Sequence, residues 1–381
     1  MSNTTIISPD LLRGALDCVS TAHVSTERGG LIPHRLPVWV RRQFPDPQLS
    51  MAEAQPAGVR LAFRTAATVV ELDAQRTTLV YAGLPPRPDG VYDVLVDGSL
   101  VDSATSVGGN VVSIDMSTGT TMTTTGAIGT MKFTLAPGDK NVEIWLPHNE
   151  TIELVELRSD APIHPAPEAT RPRWINYGSS ISQGSNAGSP SATWSALVAS
   201  AHGLELINLG FSGSAMLDPF VARVVRDEPA DLISLEIGIN LVNSDAMRLR
   251  AFVPAVHGFL DTVRDGHPET PIIVVSPIYC PIHENTPGPG AFDPASLSEG
   301  KIAFMATGEP GPGKLTLTVI RDELERIVTA REDPNLTYVN GLDLYGESDF
   351  DEFPLLDRLH PDTESHRRIG TRFSEILKQR K

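Results

Sequence analysis

A change of hydrophobic period near residue 160 constrains this chain more than any other feature. Before it, apolar residues alternate with polar ones: Met131, Phe133 and Leu135 flank Lys132 and Thr134, and Val142, Ile144 and Leu146 follow the same rule. A period of two means strands with one buried face. Similar runs at 59–63, 68–72, 92–96, 111–116 and 152–157, separated by Gly, Asp and Pro turns, predict an antiparallel, jelly-roll-like β-sandwich. Ser/Thr/Gly-rich 117–129 fits either an exposed strand or a loop. Residues 9–19 read as a short amphipathic leading helix, ended by the proline-punctuated loop from Gly29.

Asp160 to Pro172 carries four prolines in thirteen residues, which favours an extended linker. Beyond it, short apolar runs at 173–177, 204–209, 232–237, 272–277 and 336–340 alternate with helical stripes. Those stripes are Trp194, Leu197, Val198 and Ala201; Leu249 to Val263; Leu317, Ile320, Leu324, Ile327 and Val328; and Ile369, Phe373, Ile376 and Leu377. Apolar strands alternating with helices predict a doubly wound α/β domain around a five-stranded parallel sheet. The predicted domains are therefore a sandwich over 1–165 and an α/β domain over 166–381. Residues 279–313, with six prolines and six glycines, break the rhythm between the fourth strand and its helix. An insertion of that length reads as a lid or a wall of a substrate pocket.

Composition narrows the partners. A net charge of −16 leaves no basic surface for phosphates, so nucleic acid is not expected. The N-terminus lacks a basic segment followed by an apolar run, and no stretch approaches the ~18 apolar residues of a spanning helix. The expectation is a cytoplasmic protein without a membrane partner. Cys18 and Cys280 are isolated and lack metal-ligand spacing, so two buried thiols are expected, with neither a disulfide nor a metal.

In an open parallel sheet the functional crevice lies at the carboxyl ends of the strands. Ser179 and Ser180 follow the first predicted strand, Gly213 the second and Asn240 the third, while Asp357 and His360 lie between the fifth strand and the last helix. A nucleophile, oxyanion donors and an acid–base pair thus fall on one edge. Each piece has a plainer explanation: Gly213 a turn, Asn240 a helix cap, and Asp357 with His360 a solvated turn. Their joint placement favours chemistry.

The segments Tyr177-Gly-Ser-Ser-Ile-Ser-Gln-Gly, Gly210-Phe-Ser-Gly213, Gly238-Ile-Asn240 and Asp357-Arg-Leu-His360 resemble the four blocks of the SGNH (GDSL) hydrolases, in the family's order over about 170–381. The resemblance implies a flavodoxin-like sheet and a Ser180, His360, Asp357 triad. It also implies an oxyanion hole of the Ser180 N–H, the Gly213 N–H and the Asn240 amide. The family's usual Asp before the nucleophile is Ser179 here, which keeps Ser179 as an alternative nucleophile. Leu241 replaces an acidic residue that often follows the asparagine.

The motifs do not separate a hydrolase, in which water releases the acyl group, from an acyltransferase, in which a hydroxyl does. The whole chain is similar to GDSL-type acyltransferases of polyketide pathways. That likeness implies an acyl-CoA donor, an aromatic, salicylyl-like acyl group, a small-molecule hydroxyl acceptor and no permanently bound cofactor. The predicted sandwich resembles carbohydrate-binding modules in strand pattern; an alternative role is to shape one side of the acceptor pocket, with Trp39, Trp145 or Trp174 as stacking surfaces. A third reading is a binding protein with a vestigial triad.

Overall fold

A computed structural model describes residues 3–21, 29–115, 118–166 and 170–379. The chain divides into two compact units. The first comprises Met1–Val38, Glu53–Thr170 and Ser189–Ser191, and the second Trp39–Ala52, Arg171–Gly188 and Ala192–Lys381.

The first unit is built from an eight-stranded and a six-stranded sheet. Strand Gly129–Thr134 buries Met131 and Phe133 and exposes Thr130, Lys132 and Thr134, the pattern of a sheet with one dry face. Phe63, Leu72, Phe133, Val142 and Ile144 meet in its core. The pairing is not wholly antiparallel: the long strand Val69–Tyr81 runs parallel to Asn110–Asp115. Within the ambiguous stretch 117–129, Thr120–Thr124 form a fully exposed strand, and residue 117 lies outside the described residues. Of the predicted linker, Ile163–Pro165 is a strand paired with 63–65, and residues 167–169 lie outside the described residues.

The predicted leading helix over 9–19 is corrected. Pro9–Leu11 makes one 3-10 turn, Leu12–Arg13 pairs with Arg60 and Leu61, and Asp17–Thr21 pairs with Gly30–His34. Gly14, at φ 82°, ends any helical path, and Leu11 and Leu12 bury themselves in the sandwich core. Tertiary burial here overrides a helical spacing too short to sustain itself.

The second unit holds five parallel strands: β1 (Arg173–Gly178), β2 (Glu205–Gly210), β3 (Leu232–Glu236), β4 (Ile272–Val275) and β5 (Leu336–Val339), in spatial order β2-β1-β3-β4-β5. Their helices are α1 (Ser180–Gln183), α2 (Trp194–His202), α3 (Pro219–Asp227), α4 (Ile239–Asn243), α5 (Leu249–Gly266), α6 (Leu317–Ala330) and α7 (Thr363–Lys378). Helices α2 and α7 pack together, as do α3 and α5. Alternation along β1 sends Trp174 into a cluster with Trp194 of α2 and Phe373 of α7, at centroid distances of 5.2–5.8 Å. Tyr177 turns the other way, 5.1 Å from Phe259 of α5. The sheet is thus covered by an aromatic core on each face, which fixes where its strand ends point.

Candidate active site

The turn after β1 is built around lack of space. A Cβ on Gly178 would collide with Ser182 Oγ and Glu236 Oε2, so only glycine fits. Ser179 caps α1, its Oγ accepting from Ile181 N at 3.2 Å. The same hydroxyl donates to Glu236 Oε2 at 2.7 Å, as does the Ser179 N–H. With both functions of its oxygen occupied, Ser179 points into the protein. Ser180 is placed differently: its Oγ lies 3.0 Å from His360 Nε2.

His360 is oriented by Asp357, three residues earlier in the chain. Asp357 Oδ2 lies 2.7 Å from His360 Nδ1 and accepts from Asn186 Nδ2 at 3.1 Å. Asp357 Oδ1 accepts from the backbone N–H groups of Leu359 and His360 at 2.9 and 2.7 Å. Burial raises the carboxyl's pKa, but the bonds and charge of His360 outweigh it and hold the group down at about 2. An ionised Asp357 keeps the proton on Nδ1, so Nε2 faces the Ser180 hydroxyl as an acceptor.

The second and third strands supply the remaining pieces. Gly213 has φ 70°, and its loop is held by Ser212 N donating to Gln183 Oε1 at 2.9 Å and by Gln48 Nε2 donating to Ser212 O at 2.8 Å. Asn240 follows Gly238, which sits at φ 140° before α4. The Ala215 N–H donates to Asn240 Oδ1 at 3.0 Å, which ties these two loops and commits the amide's oxygen, leaving its NH2 to face elsewhere. Among the described residues, the N–H groups of Ser180 and Gly213 and the Asn240 NH2 have no protein acceptor. Leu241, where an acidic residue would resemble the family better, is buried and apolar.

The insertion after β4 is ordered around the same loop. Gly290–Phe292 and Phe304–Ala306 pair as a hairpin, with helix Pro294–Ser298 inside it. Phe304 stacks on Phe292 at 5.1 Å, sets its edge against His360 at 5.8 Å, and donates its N–H to Asp357 O at 2.9 Å. Arg358, at φ 66°, reaches Asp293 Oδ2 at 2.8 Å. An aromatic pair therefore lies beside the histidine, and an ion pair ties the insertion to the loop that carries it.

All six predicted site residues lie at the carboxyl ends of the strands, and Ser180, His360 and Asp357 touch in sequence. Sequence reasoning missed Glu236, Asn186, Phe304 and Gln48. A lone Glu ending the buried run Leu-Ile-Ser-Leu-Glu was a usable signal for the first; the others had none, because their partners lie far along the chain. Two proposed stacking surfaces are corrected: Trp174 is wholly buried in the aromatic core, and Trp145 is buried beneath the Arg60 guanidinium, 4.9 Å from its ring. Trp39 is partly exposed, but Arg223 lies 4.8 Å from its ring centroid.

Residues 172–282 match the GDSL-like lipase/acylhydrolase family. The structure is similar to that of the salicylyl acyltransferase SsfX3 from a tetracycline biosynthetic pathway, with 27% identity, a TM-score of 0.75, and coverage of 100% of this chain and 97% of that one. A GDSL-like lipase fold from Bacteroides ovatus matches at 18% identity and a TM-score of 0.66, covering 99% and 98% of the two chains. A family two carbohydrate esterase from Clostridium thermocellum matches at 13% identity and a TM-score of 0.55, covering 85% and 93%. Comparison with curated protein sequences returns no match.

Proposed function

We propose, from the match of residues 172–282 to the GDSL-like lipase/acylhydrolase family, that the protein is a serine acyltransferase acting through Ser180. The observation that carries the reading is the unbroken line from Ser180 Oγ to His360 Nε2 and from His360 Nδ1 to Asp357. In the proposed reaction Ser180 Oγ attacks the carbonyl carbon of an acyl-CoA thioester while His360 Nε2 takes its proton. The oxyanion is held by the N–H groups of Ser180 and Gly213 and by the Asn240 amide; loss of one such donor typically costs about 2.7–4 kcal/mol of barrier. Collapse breaks the C–S bond, and the thiol leaves with the proton from His360. An acceptor hydroxyl then gives its proton to His360, attacks the acyl-serine carbonyl, and releases Ser180 with the proton returned.

Transfer needs water kept from the acyl-enzyme, and the Phe292–Phe304 pair beside His360 supports that role. The likeness to SsfX3, a salicylyl acyltransferase of a tetracycline biosynthetic pathway, supports an aromatic, salicylyl-like acyl group and a natural-product acceptor. Hydrolysis of a carboxylic ester by the same residues is the alternative, and its product separates the two. The test supplies acyl-CoA thioesters, aromatic and aliphatic, with and without polyhydroxylated acceptors, and identifies products by mass. Ester product formed in preference to free acid is expected. Acid alone, whatever the acceptor, makes the protein a hydrolase. Ser180→Ala should lose the acyl-enzyme and, on the order of 10⁴-fold, its turnover, whereas Ser179→Ala should still be acylated.

A further inference from the structure

Glu236 is an unusual last residue for β3, a strand otherwise buried among apolar side chains. It is 6% exposed, and its Oε2 accepts from Ser179 N at 2.7 Å, Ser179 Oγ at 2.7 Å and Ser182 Oγ at 3.2 Å. Burial raises its pKa while these donors oppose the rise. A carboxyl group in such a place needs donors, and all three come from the turn that bears the nucleophile.

That turn cannot hold itself. α1 is four residues long, and a single helical turn is unstable without outside contacts. Its neighbours are therefore tied one by one. Ser179 and Ser182 are bound to Glu236, Gln183 Oε1 accepts from Ser212 N, and the Ser182 carbonyl accepts from Asn208 Nδ2 of β2 at 2.8 Å. Ser180 is the member whose side chain is left to face His360.

We propose that Glu236 is a positioning residue for the nucleophile: by binding Ser179 and Ser182 from beneath, it fixes the directions of the Ser180 hydroxyl and N–H and withdraws Ser179 from competition for His360. The proposal rests on the reading that Ser180 is acylated. It uses a group 57 residues along the chain from Ser179 that never touches the reacting atoms. A misplacement of about 1 Å at a nucleophile can cost about 10²-fold in rate, so small rotations of α1 matter.

The test is Glu236→Gln in the full chain, which keeps an acceptor oxygen but removes the charge. At a temperature where circular dichroism finds the variant fully folded, kcat with an activated ester should fall about 10- to 100-fold. KM should stay within about twofold, and labelling by a fluorophosphonate should slow in parallel with kcat. A purely structural role would lower Tm and leave kcat intact in the folded protein, and that result overturns the proposal. If Glu236→Gln does not fold, Ser179→Ala and Ser182→Ala each delete a donor. A several-fold fall in kcat at constant KM in both supports the assignment; unchanged kcat in both overturns it. Ser180→Ala separates the two levels. Loss of labelling in Ser180→Ala beside a normal Glu236→Gln sinks only the role of Glu236, whereas labelling that survives Ser180→Ala sinks the acyl-serine reading and this inference together.

Discussion

At the scale of single residues, two neighbouring serines differ in everything except identity. Ser179 is held by a buried carboxylate and a backbone N–H; Ser180 meets an imidazole. Asp357 and His360 were legible in the sequence because their contact is local, three residues apart with the loop's own N–H groups completing it. Another carboxyl was not legible. Asp218 immediately precedes α3 without a side-chain capping bond, and burial, with the charge of Asp46, pushes its pKa up to about 6. A raised carboxyl pKa means the folded state binds the proton more tightly than the unfolded chain, near 3.9. Its ionisation therefore lowers stability as pH rises from about 4 through 6. Asp218→Asn should stabilise the protein at pH 7.5 by on the order of 1–2 kcal/mol and change little near pH 4. Thermal melts at the two pH values check this, and equal shifts at both would refute the assignment.

At the scale of elements, the insertion after β4 carries the argument about water. Its Gly/Pro-rich composition suggested a lid, yet the hairpin and its internal helix could not be read, because three-residue strands have too little period to register. What orders them is contact with the loop of Asp357–His360: Phe304 N on Asp357 O, and Asp293 on Arg358. Asp293 also caps the helix Pro294–Ser298 by accepting from Ala295 N at 3.0 Å. Asp293→Ala should loosen the hairpin and leave the Ser180–His360 contact intact. The ratio of free acid to ester product at fixed acceptor concentration should rise several-fold, with the rate of acyl-enzyme formation little changed. A constant ratio removes the hairpin from the account of transfer. The leading segment teaches the converse, since its helical spacing yielded to the burial of Leu11 and Leu12.

At the scale of the whole molecule, one cut between the units falls between Thr170 and Arg171, within the proline-rich segment, but neither unit is a single continuous stretch. Residues 39–52 come from the first third of the chain but belong to the α/β unit. Phe44 packs on Phe220 at 5.2 Å, Gln43 Oε1 accepts from Arg223 at 2.8 Å, and Gln48 holds Ser212 beside Gly213. A fragment of 171–381 should therefore melt lower than the same fragment with residues 39–52 supplied by fusion. Differential scanning calorimetry of both decides it, and identical Tm values would show the segment to be dispensable. No helix among the described residues is long and apolar enough to cross a bilayer.

The order of the five parallel strands along the chain, the switch from period two to alternating α and β, and the spacing of Asp357 and His360 are properties of consecutive residues, so the sequence alone determined them. Which serine meets the histidine, which carboxylate braces the turn, and which distant segment supports the Gly213 loop were decided only by tertiary structure. Each depends on a pair of groups brought together across strands, such as Ser179 with Glu236 or Gln48 with Ser212. No local periodicity encodes those meetings; the register of the sheet and the exclusion of water from its core do.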